Sequence, residues 1–457
     1  MIERQRPIEQ DMVKRRSNFD PVEENFTDEQ AKLEASRCLN CKNPLCSKGC
    51  PVSVKIPDFI KQIKEGNLQS AGEIIRQDNM LPSVCGRICP QERQCESKCI
   101  LGIKQKPVAI GALERYVGDN SEAKKVEITE NNIKVAIVGS GCAGMSAAAD
   151  LRCAGFDVTV FEALHELGGV LRYGIPPFRL PRTVLDREIA SLKEMGVKFE
   201  KNVVVGKSIT LNQLKEEGFK AIFICSGAGL PKMLNIVGEN LNGVYSANEF
   251  LTRVNLMHAN QDDTPTPLKV GKVAAIIGGG NVAMDAARTA VRVGFDEVYI
   301  VYRRTEAELP ARLEEIRHAK EEGIIFKFLH NPAEILGENG FVKSMKLEVM
   351  ELGEPDASGR RRPVGTNTYI DMPLDTVIVA LGTGPNPIIQ KSAESENIAI
   401  ETDSKGYIVI NELAQTTVDD IFAGGDVAPL GESTAIKAMG AGKRAAKTII
   451  EKFNSNK

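Results

Sequence analysis

Apolar residues along this chain keep two different periods, and the change of period divides it. In TDEQAKLEASRCL and IPDFIKQIKEGNLQSAGEIIRQ they recur at helical spacing, and no strand alternation occurs in the first 117 residues. A charged stretch from Gly118-Asp119-Asn120-Ser121 to Asn132 predicts a linker. Short apolar runs then take over. IKVAIVGSG predicts a strand entering a glycine turn, followed by an alanine-rich helix through Asp150 and a second strand, DVTVFEA. The same order returns in KVAAIIGGGNVAMDAARTAV and DEVYIVYRR. Two copies of one βαβ design, rather than a tandem repeat, predict two dinucleotide-binding domains. Between them, TLNQLKEEGFKAIFICSGAG predicts a helix leading into a strand. DDTPTPLKVG predicts a loop, and residues 355–365 predict an exposed turn in a strand-rich segment. TVIVALGTGPNP predicts a buried strand, and DIFAGGD predicts a strand and turn before a long small-residue helix.

Composition adds the class of protein. At 457 residues the chain has room for about three domains. Its 42% hydrophobic and 26% charged content fits substantial cores, and a net charge of −3 argues against nucleic acid or an anionic membrane as partner. The opening MIERQRPIEQ lacks the apolar core of a signal peptide, and no apolar run approaches the ~18 residues of a membrane span. The expectation is a soluble, cytoplasmic protein, in which clustered cysteines serve as metal ligands rather than disulfides.

Each glycine turn carries candidate chemistry. Gly139-Ser140-Gly141-Cys142-Ala143-Gly144 fits GxGxxG, and Glu162 ends the next strand. Gly139 permits the tight turn, Gly141 lets backbone approach a pyrophosphate, Gly144 lets helix and strand pack, and Glu162 can accept from ribose hydroxyls. The alternative is a glycine turn without a ligand. Gly278-Gly279-Gly280-Asn281-Val282-Ala283 is the GxGxxA form, answered by Tyr302-Arg303-Arg304 instead of an acid. Arginines there pair with a 2′-phosphate that a carboxylate would repel, unless they are an ordinary solvated pair. The first loop thus points to FAD and the second to NADP(H). Gly425 and Asp426 of the late Gly-Gly-Asp turn support the flavin assignment.

Eight of eleven cysteines fall between residues 38 and 99, as C-x2-C-x4-C-x3-C-P and C-x3-C-x5-C-x3-C. Closely spaced thiolates followed by a Cys-Pro resemble ferredoxin-type ligation, although the spacings are not those of a bacterial ferredoxin, and by count these cysteines suffice for two 4Fe–4S clusters. Structural zinc is the alternative. Cys142, Cys153 and Cys225 are expected to be small buried residues; none forms a C-x-x-C pair, which counts against a dithiol disulfide reductase. His165, His258, His318 and His330 are too scattered to suggest a metal site. Glu314 and Glu315 are expected on a solvated helix face, and Arg360, Arg361 and Arg362 at an exposed turn.

SRCLNCKNPLCSKGCP, LPSVCGRICPQERQCESKC, AIGALERY, YGIPPFRLP and IFAGGD together resemble the small subunit of NADPH-dependent glutamate synthase, over nearly the whole chain. The large subunit of NADH-dependent reduced ferredoxin:NADP oxidoreductase is similar at this level, and the N-terminal half of dihydropyrimidine dehydrogenase more distantly so. The resemblance implies an α/β protein: a flavin domain of disulfide-reductase type with an inserted NADPH domain, preceded by a helical domain with two 4Fe–4S clusters. The implied boundaries are 1–132, 133–240, 241–381 and 382–457, with crossings near Ser226-Gly227-Ala228 and Ala380-Leu381-Gly382. It also implies interleaved ligands. Cys38, Cys41, Cys46 and Cys99 would hold one cluster and Cys50, Cys89, Cys95 and Glu114 the other, leaving Cys85 spare, where counting alone favours Cys85 over Glu114. Gly168, Gly169, Arg172 and Thr434 would line the flavin site. The implied activity moves electrons from NADPH through FAD and the clusters to a partner, with no acid–base residue needed. That partner is a glutamate synthase large subunit or, in the bifurcating alternative, a small iron–sulfur flavoprotein or ferredoxin, within an oligomer.

Overall fold

The computed structural model describes residues 2–123, 127–261, 263–357, 359–429 and 434–454. Helices dominate the N-terminal part. Thr27 and Gln30 form a capping box at the start of helix Asp28–Ala35. In helix Ile56–Glu65 the residues Ile56, Phe59, Ile60 and Ile63 are buried at the helical spacing that their sequence predicts, and Gly66 ends it at φ +83°. These side chains share a core with Ile75, Leu113 and Val117 from helices Leu68–Asp78 and Ile110–Asn120. The last of these corrects the linker expectation, because Gly118, Asp119 and Asn120 are helical. Gly118 lies against helix Pro82–Ile88, where an added Cβ would sit 2.5 Å from the Ser83 nitrogen.

The first parallel sheet begins with β1 (Lys134–Val138), β2 (Asp157–Glu162), β3 (Lys198–Lys201) and β4 (Phe219–Ile224). The chain leaves through β5 (Leu230–Pro231) and builds β6 (Val244–Ser246), β7 (Val273–Ile277), β8 (Glu297–Tyr302) and β9 (Ile325–Phe328). Three longer strands follow, β10 (His330–Glu338), β11 (Phe341–Pro355) and β12 (Arg361–Pro373). Last come β13 (Thr376–Val379), β14 (Thr383–Gly384) and β15 (Ile421–Ala423). Strand β15 completes the first sheet in the order β15-β4-β1-β2-β3, and the second runs β6-β13-β7-β8-β9. All these pairs are parallel. β5 and β14 pair antiparallel, so the chain enters and leaves the inserted sheet side by side.

Period-2 alternation explains the layers. In β7, Ala274 and Ile276 join the helical side with Met284 and Ala287, whereas Ala275 and Ile277 face Met345, Leu347 and Met372 of the antiparallel β10–β12 sheet. In β1, Val135 and Ile137 pack with Met145, Met439 and Ile449 from helices Cys142–Cys153 and Ala435–Asn454. Val84, Cys85, Ile88 and Cys89 belong to that same core, so the cysteine-bearing helices are continuous with the first sheet.

A buried ion network ties three distant segments together. Arg179, from YGIPPFRLP, donates to Asp285 at 2.8 and 2.6 Å and lies 2.9 Å from Glu315. Arg288 donates to Glu322 at 3.0 and 2.8 Å and also to Glu315. Arg292 and the N-terminal Arg15 reach Glu322 at 2.6 and 3.2 Å. Glu315, expected on a solvated face, is therefore buried between Arg179 and Arg288, which reach it from two elements that sequence spacing does not relate to its own. Burial opposes ionisation of Glu322, yet hydrogen bonds from Arg292 and Arg288 hold its carboxyl at about 2.

Candidate redox site

The first glycine loop sits where β1 meets helix Cys142–Cys153. Gly139 has φ +114°, and an added Cβ would lie 2.7 Å from the Cys225 carbonyl oxygen. A Cβ on Gly144 would stand 2.0 Å from the Gly139 oxygen, whereas one on Gly141 would meet nothing within 4 Å. The outer glycines thus close the turn and the middle one leaves an open face at a helix N-terminus. Glu162 is buried and accepts from the Ser140 nitrogen (3.0 Å), the Ser140 hydroxyl (2.5 Å) and the Leu164 nitrogen (2.9 Å). Ser140 Oγ in turn accepts from the Gly168 nitrogen at 2.9 Å. This carboxylate fastens the glycine loop to the Gly168–Gly169 turn, whose φ values are +116° and +53°.

Other flavin candidates surround the same strand ends. Arg172 donates to the Leu167 carbonyl at 3.0 Å and pairs with Asp186. A Cβ on Gly425 (φ +72°) would lie 3.1 Å from Ala143 Cβ, and Asp426 acts electrostatically on Cys142 and Tyr173. The Thr434 carbonyl accepts from the Ala438 nitrogen at 2.9 Å, which seats Thr434 at the start of the C-terminal helix.

The second loop repeats the design. Gly278 has φ +145° and packs on the Ala380 carbonyl, Gly280 is open, Ala283 is buried, and Asn281 Oδ1 accepts from the Arg312 nitrogen at 2.9 Å. The two arginines after β8 separate. Arg303 is exposed, whereas Arg304 is buried, donating to the Arg361 carbonyl at 2.7 Å and to Asp356 at 2.6 Å.

The cysteines fall into two neighbourhoods. Cys46 feels the charges of Cys99, Cys38 and Cys41, and Cys38 those of Cys99 and Cys41; all four are half-buried. Cys95 feels Glu114, Cys89 and Cys50, and Cys50 feels Glu114 and Cys89. Burial pushes the Cys46 thiol up to about 11 and the Cys50 thiol up to about 12, and their neighbours add to the shift. Burial and neighbouring acidic groups disfavour the thiolate in the absence of a cation. Four thiolates on one zinc would stand about 3.8 Å apart, given Zn–S bonds of about 2.3 Å. Among the described residues the only trio of such ligand atoms within 4.8 Å is Glu9, Glu23 and His318, so neither cysteine set closes on a single ion. Cys85 is buried beside Cys89, with its sulfur 3.5 Å from Met439 Sδ and 3.6 Å from Asn79 Oδ1. Asn79 Nδ2 donates to Glu114 Oε1 at 2.7 Å. Burial raises the Glu114 carboxyl to about 7.

Of the remaining cysteines, Cys142 and Cys225 are buried, but Cys153 is exposed at the end of its helix, contrary to expectation. His318, one of four scattered histidines, gathers Glu9 and Glu23 from the N-terminal arm. Asn79 and Met439 gave no sequence signal, because their partners lie 35 and 354 positions away.

Residues 15–126 match the family of dihydropyrimidine dehydrogenase domain II, 4Fe-4S cluster, and residues 133–442 match pyridine nucleotide-disulphide oxidoreductase. The chain is 36% identical over 464 residues to the glutamate synthase (NADPH) small chain of Escherichia coli, covering 98% of this chain and 97% of that one. It belongs to the glutamate synthase small-chain family. It is accordingly an NADPH-dependent oxidoreductase with FAD, NADP(H) and 4Fe–4S cofactors. Another relative is the NADP(+)-dependent formate dehydrogenase subunit beta of Moorella thermoacetica, 38% identical over 88% of this chain and 59% of that one. In fold, the flavin and NADPH part is similar to Mycobacterium tuberculosis FprA in complex with NADPH, with a TM-score of 0.59 and 22% identity over 71% of this chain and 85% of that one. Among the described residues no helix is long and apolar enough to cross a membrane.

Proposed function

We propose that this chain is the NADPH-oxidising subunit of a glutamate synthase, supplying electrons to a large subunit that forms glutamate from 2-oxoglutarate and glutamine. The observation that carries the reading is the order of the sites. Cys89 packs in the flavin-domain core, whereas Cys95, with Cys50 and the half-buried Cys38, Cys46 and Cys99 at its edge, belongs to the helical core that precedes it. When bound, FAD would supply a two-electron acceptor for the hydride of NADPH and the clusters would supply one-electron carriage. Gly139, Gly141, Gly144, Glu162, Gly168, Gly169, Arg172, Gly425, Asp426 and Thr434 would hold the flavin. Gly278, Gly280, Asn281, Ala283 and Arg303 would hold NADPH, with Arg304 supporting the turn from inside. The two cysteine sets, one completed by Glu114, are the proposed cluster ligands, and 132, 240 and 381 the proposed domain edges.

Two experiments test this. Anaerobic purification from the native host, with mass spectrometry of what copurifies, should yield a large glutamate synthase subunit. A small iron–sulfur flavoprotein would instead favour bifurcating transhydrogenation. The Moorella relative is a formate dehydrogenase subunit, so copurification of a formate dehydrogenase is a third outcome of that test. For the ligands, Glu114→Ala should perturb one cluster's electron paramagnetic resonance while Cys85→Ala leaves both signals in place; the reverse result overturns the assignment.

A further inference from the structure

The half-buried cysteine set lies on two loops, residues 38–50 and 97–106, whose composition is lopsided. They contain Lys42, Lys48, Lys98, Lys104 and Lys106 and no aspartate or glutamate, in a chain where acids outnumber bases 61 to 58. All five lysines are exposed. The flanking carboxylates do not offset them, since Glu34 and Glu96 are buried and pair with Arg37 and Arg4. The same loops expose Leu39, Leu45, Ile100 and Ile103, with Leu39 60% and Ile103 79% accessible. The loops are one surface. Cys99 acts on Cys38 and Cys46, and a Cβ on Gly49 would lie 2.8 Å from Lys98 Cγ.

Lysines alone could serve to balance the charge of a thiolate-bound cluster. Four large exposed apolar side chains cannot do that, and exposed apolar side chains interspersed with like-charged ones are the composition of a docking face. We propose that this face docks an acidic electron-transfer protein surface, one whose carboxylates are interspersed with apolar side chains. The inference rests on the proposed cluster at Cys38, Cys41, Cys46 and Cys99. Complementary charge would steer the encounter, and salt would weaken it.

The test uses the holoenzyme and, as probe, a strongly acidic bacterial ferredoxin reduced beforehand, with NADP(+) as acceptor. For the wild type, the second-order rate should fall about tenfold from low salt to roughly 0.3 M. The triple variant Lys42→Glu, Lys98→Glu, Lys104→Glu should lose about tenfold at low salt and flatten the salt dependence. Leu39→Ser with Ile103→Ser should slow the reaction at every salt concentration. With a basic c-type cytochrome as acceptor from NADPH, the triple variant should be faster than the wild type. Bleaching of the flavin by NADPH and both cluster signals should be unchanged in these variants. A triple variant that keeps its ferredoxin rate with both clusters intact overturns the proposal. Wild-type protein lacking a signal assignable to this set would instead remove the cluster reading beneath it.

Discussion

Replacing Arg288 with methionine probes the junction that joins the N-terminal arm, the YGIPPFRLP segment and the inserted domain. Arg288 is fully buried, with two hydrogen bonds to Glu322, one to Glu315, and its guanidinium 4.6 Å from the Phe178 ring centroid. Methionine replaces the aliphatic stem, so the main loss is electrostatic. Removing one partner of a buried ion pair typically costs about 3–5 kcal/mol. Arg292 and Arg15 still face Glu322, and Arg179 still faces Glu315, so the expected loss lies at the lower end, about 3 kcal/mol. Arg317 is the natural control: its side chain is 40% exposed and pairs with Glu9 and Glu321. Arg317→Met should cost no more than about 1 kcal/mol. The chain has no tryptophan, so anaerobic urea unfolding is followed by flavin fluorescence and far-ultraviolet circular dichroism. If both variants lose the same small amount, the buried network is worth no more than a surface pair and the reasoning fails.

Three further outcomes follow from the same geometry. Gly144→Ala drives a methyl into the Gly139 carbonyl and should yield protein with little bound flavin, measured as flavin absorbance per chain; Gly141→Ala, facing open space, should fold normally and lose flavin on dilution. Arg303→Ala should raise KM for NADPH roughly ten- to hundredfold, as for a lost charge-assisted hydrogen bond, and leave NADH unchanged, whereas Arg304→Ala should mainly lower Tm. An equal effect on both nucleotides would exclude Arg303 from the 2′-phosphate. Folded-state pKa values are depressed at Glu322, Glu315 and Glu9, so their stabilisation is complete above about pH 4.5 and declines as pH falls towards 2. The urea midpoint should therefore drop across that window, and Glu322→Gln should flatten the drop; a midpoint insensitive to acid would contradict it.

Much of this was legible in the sequence because the informative residues are close together. Gly139, Gly141 and Gly144 act within one turn, and the apolar runs at 134–138 and 273–277 declare buried parallel strands. Periodicity likewise gave the helices at Ile56–Glu65 and Leu68–Asp78. Where partners come from afar, pattern failed. Glu315 has the local context of a solvated helix, and only Arg179 and Arg288, 136 and 27 positions earlier, show why it is buried. Arg303 and Arg304 are identical neighbours in sequence, but Asp356 across the β11–β12 turn draws one of them inward. Gly118 suggested a linker when its absent side chain is what lets two helices touch.

That helix contact explains how a carboxylate comes to face the cysteines. Helices Pro82–Ile88 and Ile110–Asn120 meet at Gly86 and Gly118, where an added Cβ would lie 2.4 Å from the Arg115 nitrogen and 2.5 Å from the Ser83 nitrogen. Gly111 makes room for the Gln91 side chain, whose Nε2 would lie 2.3 Å from its added Cβ. Two missing side chains bring the helices together, and Glu114 is buried beside Cys50 and Cys95. A buried carboxyl there needs a donor, and Asn79 supplies one at 2.7 Å while its Oδ1 accepts from the Leu81 nitrogen at 2.9 Å. Asn79 is thus a positioning residue that fixes the carboxylate. Asn79→Leu removes a hydrogen bond to a charged group worth about 1.5–3 kcal/mol and should shift the spectrum and potential of one cluster without emptying it. Glu114→Ala should act on that same signal if Glu114 is the proposed ligand, because the Asn79 amide would reach the cluster only through the Glu114 carboxylate. If Asn79→Leu leaves both clusters as in the wild type while Glu114→Ala alters one, the glycine-lined helix contact is sufficient to aim the carboxylate and the amide does no positioning.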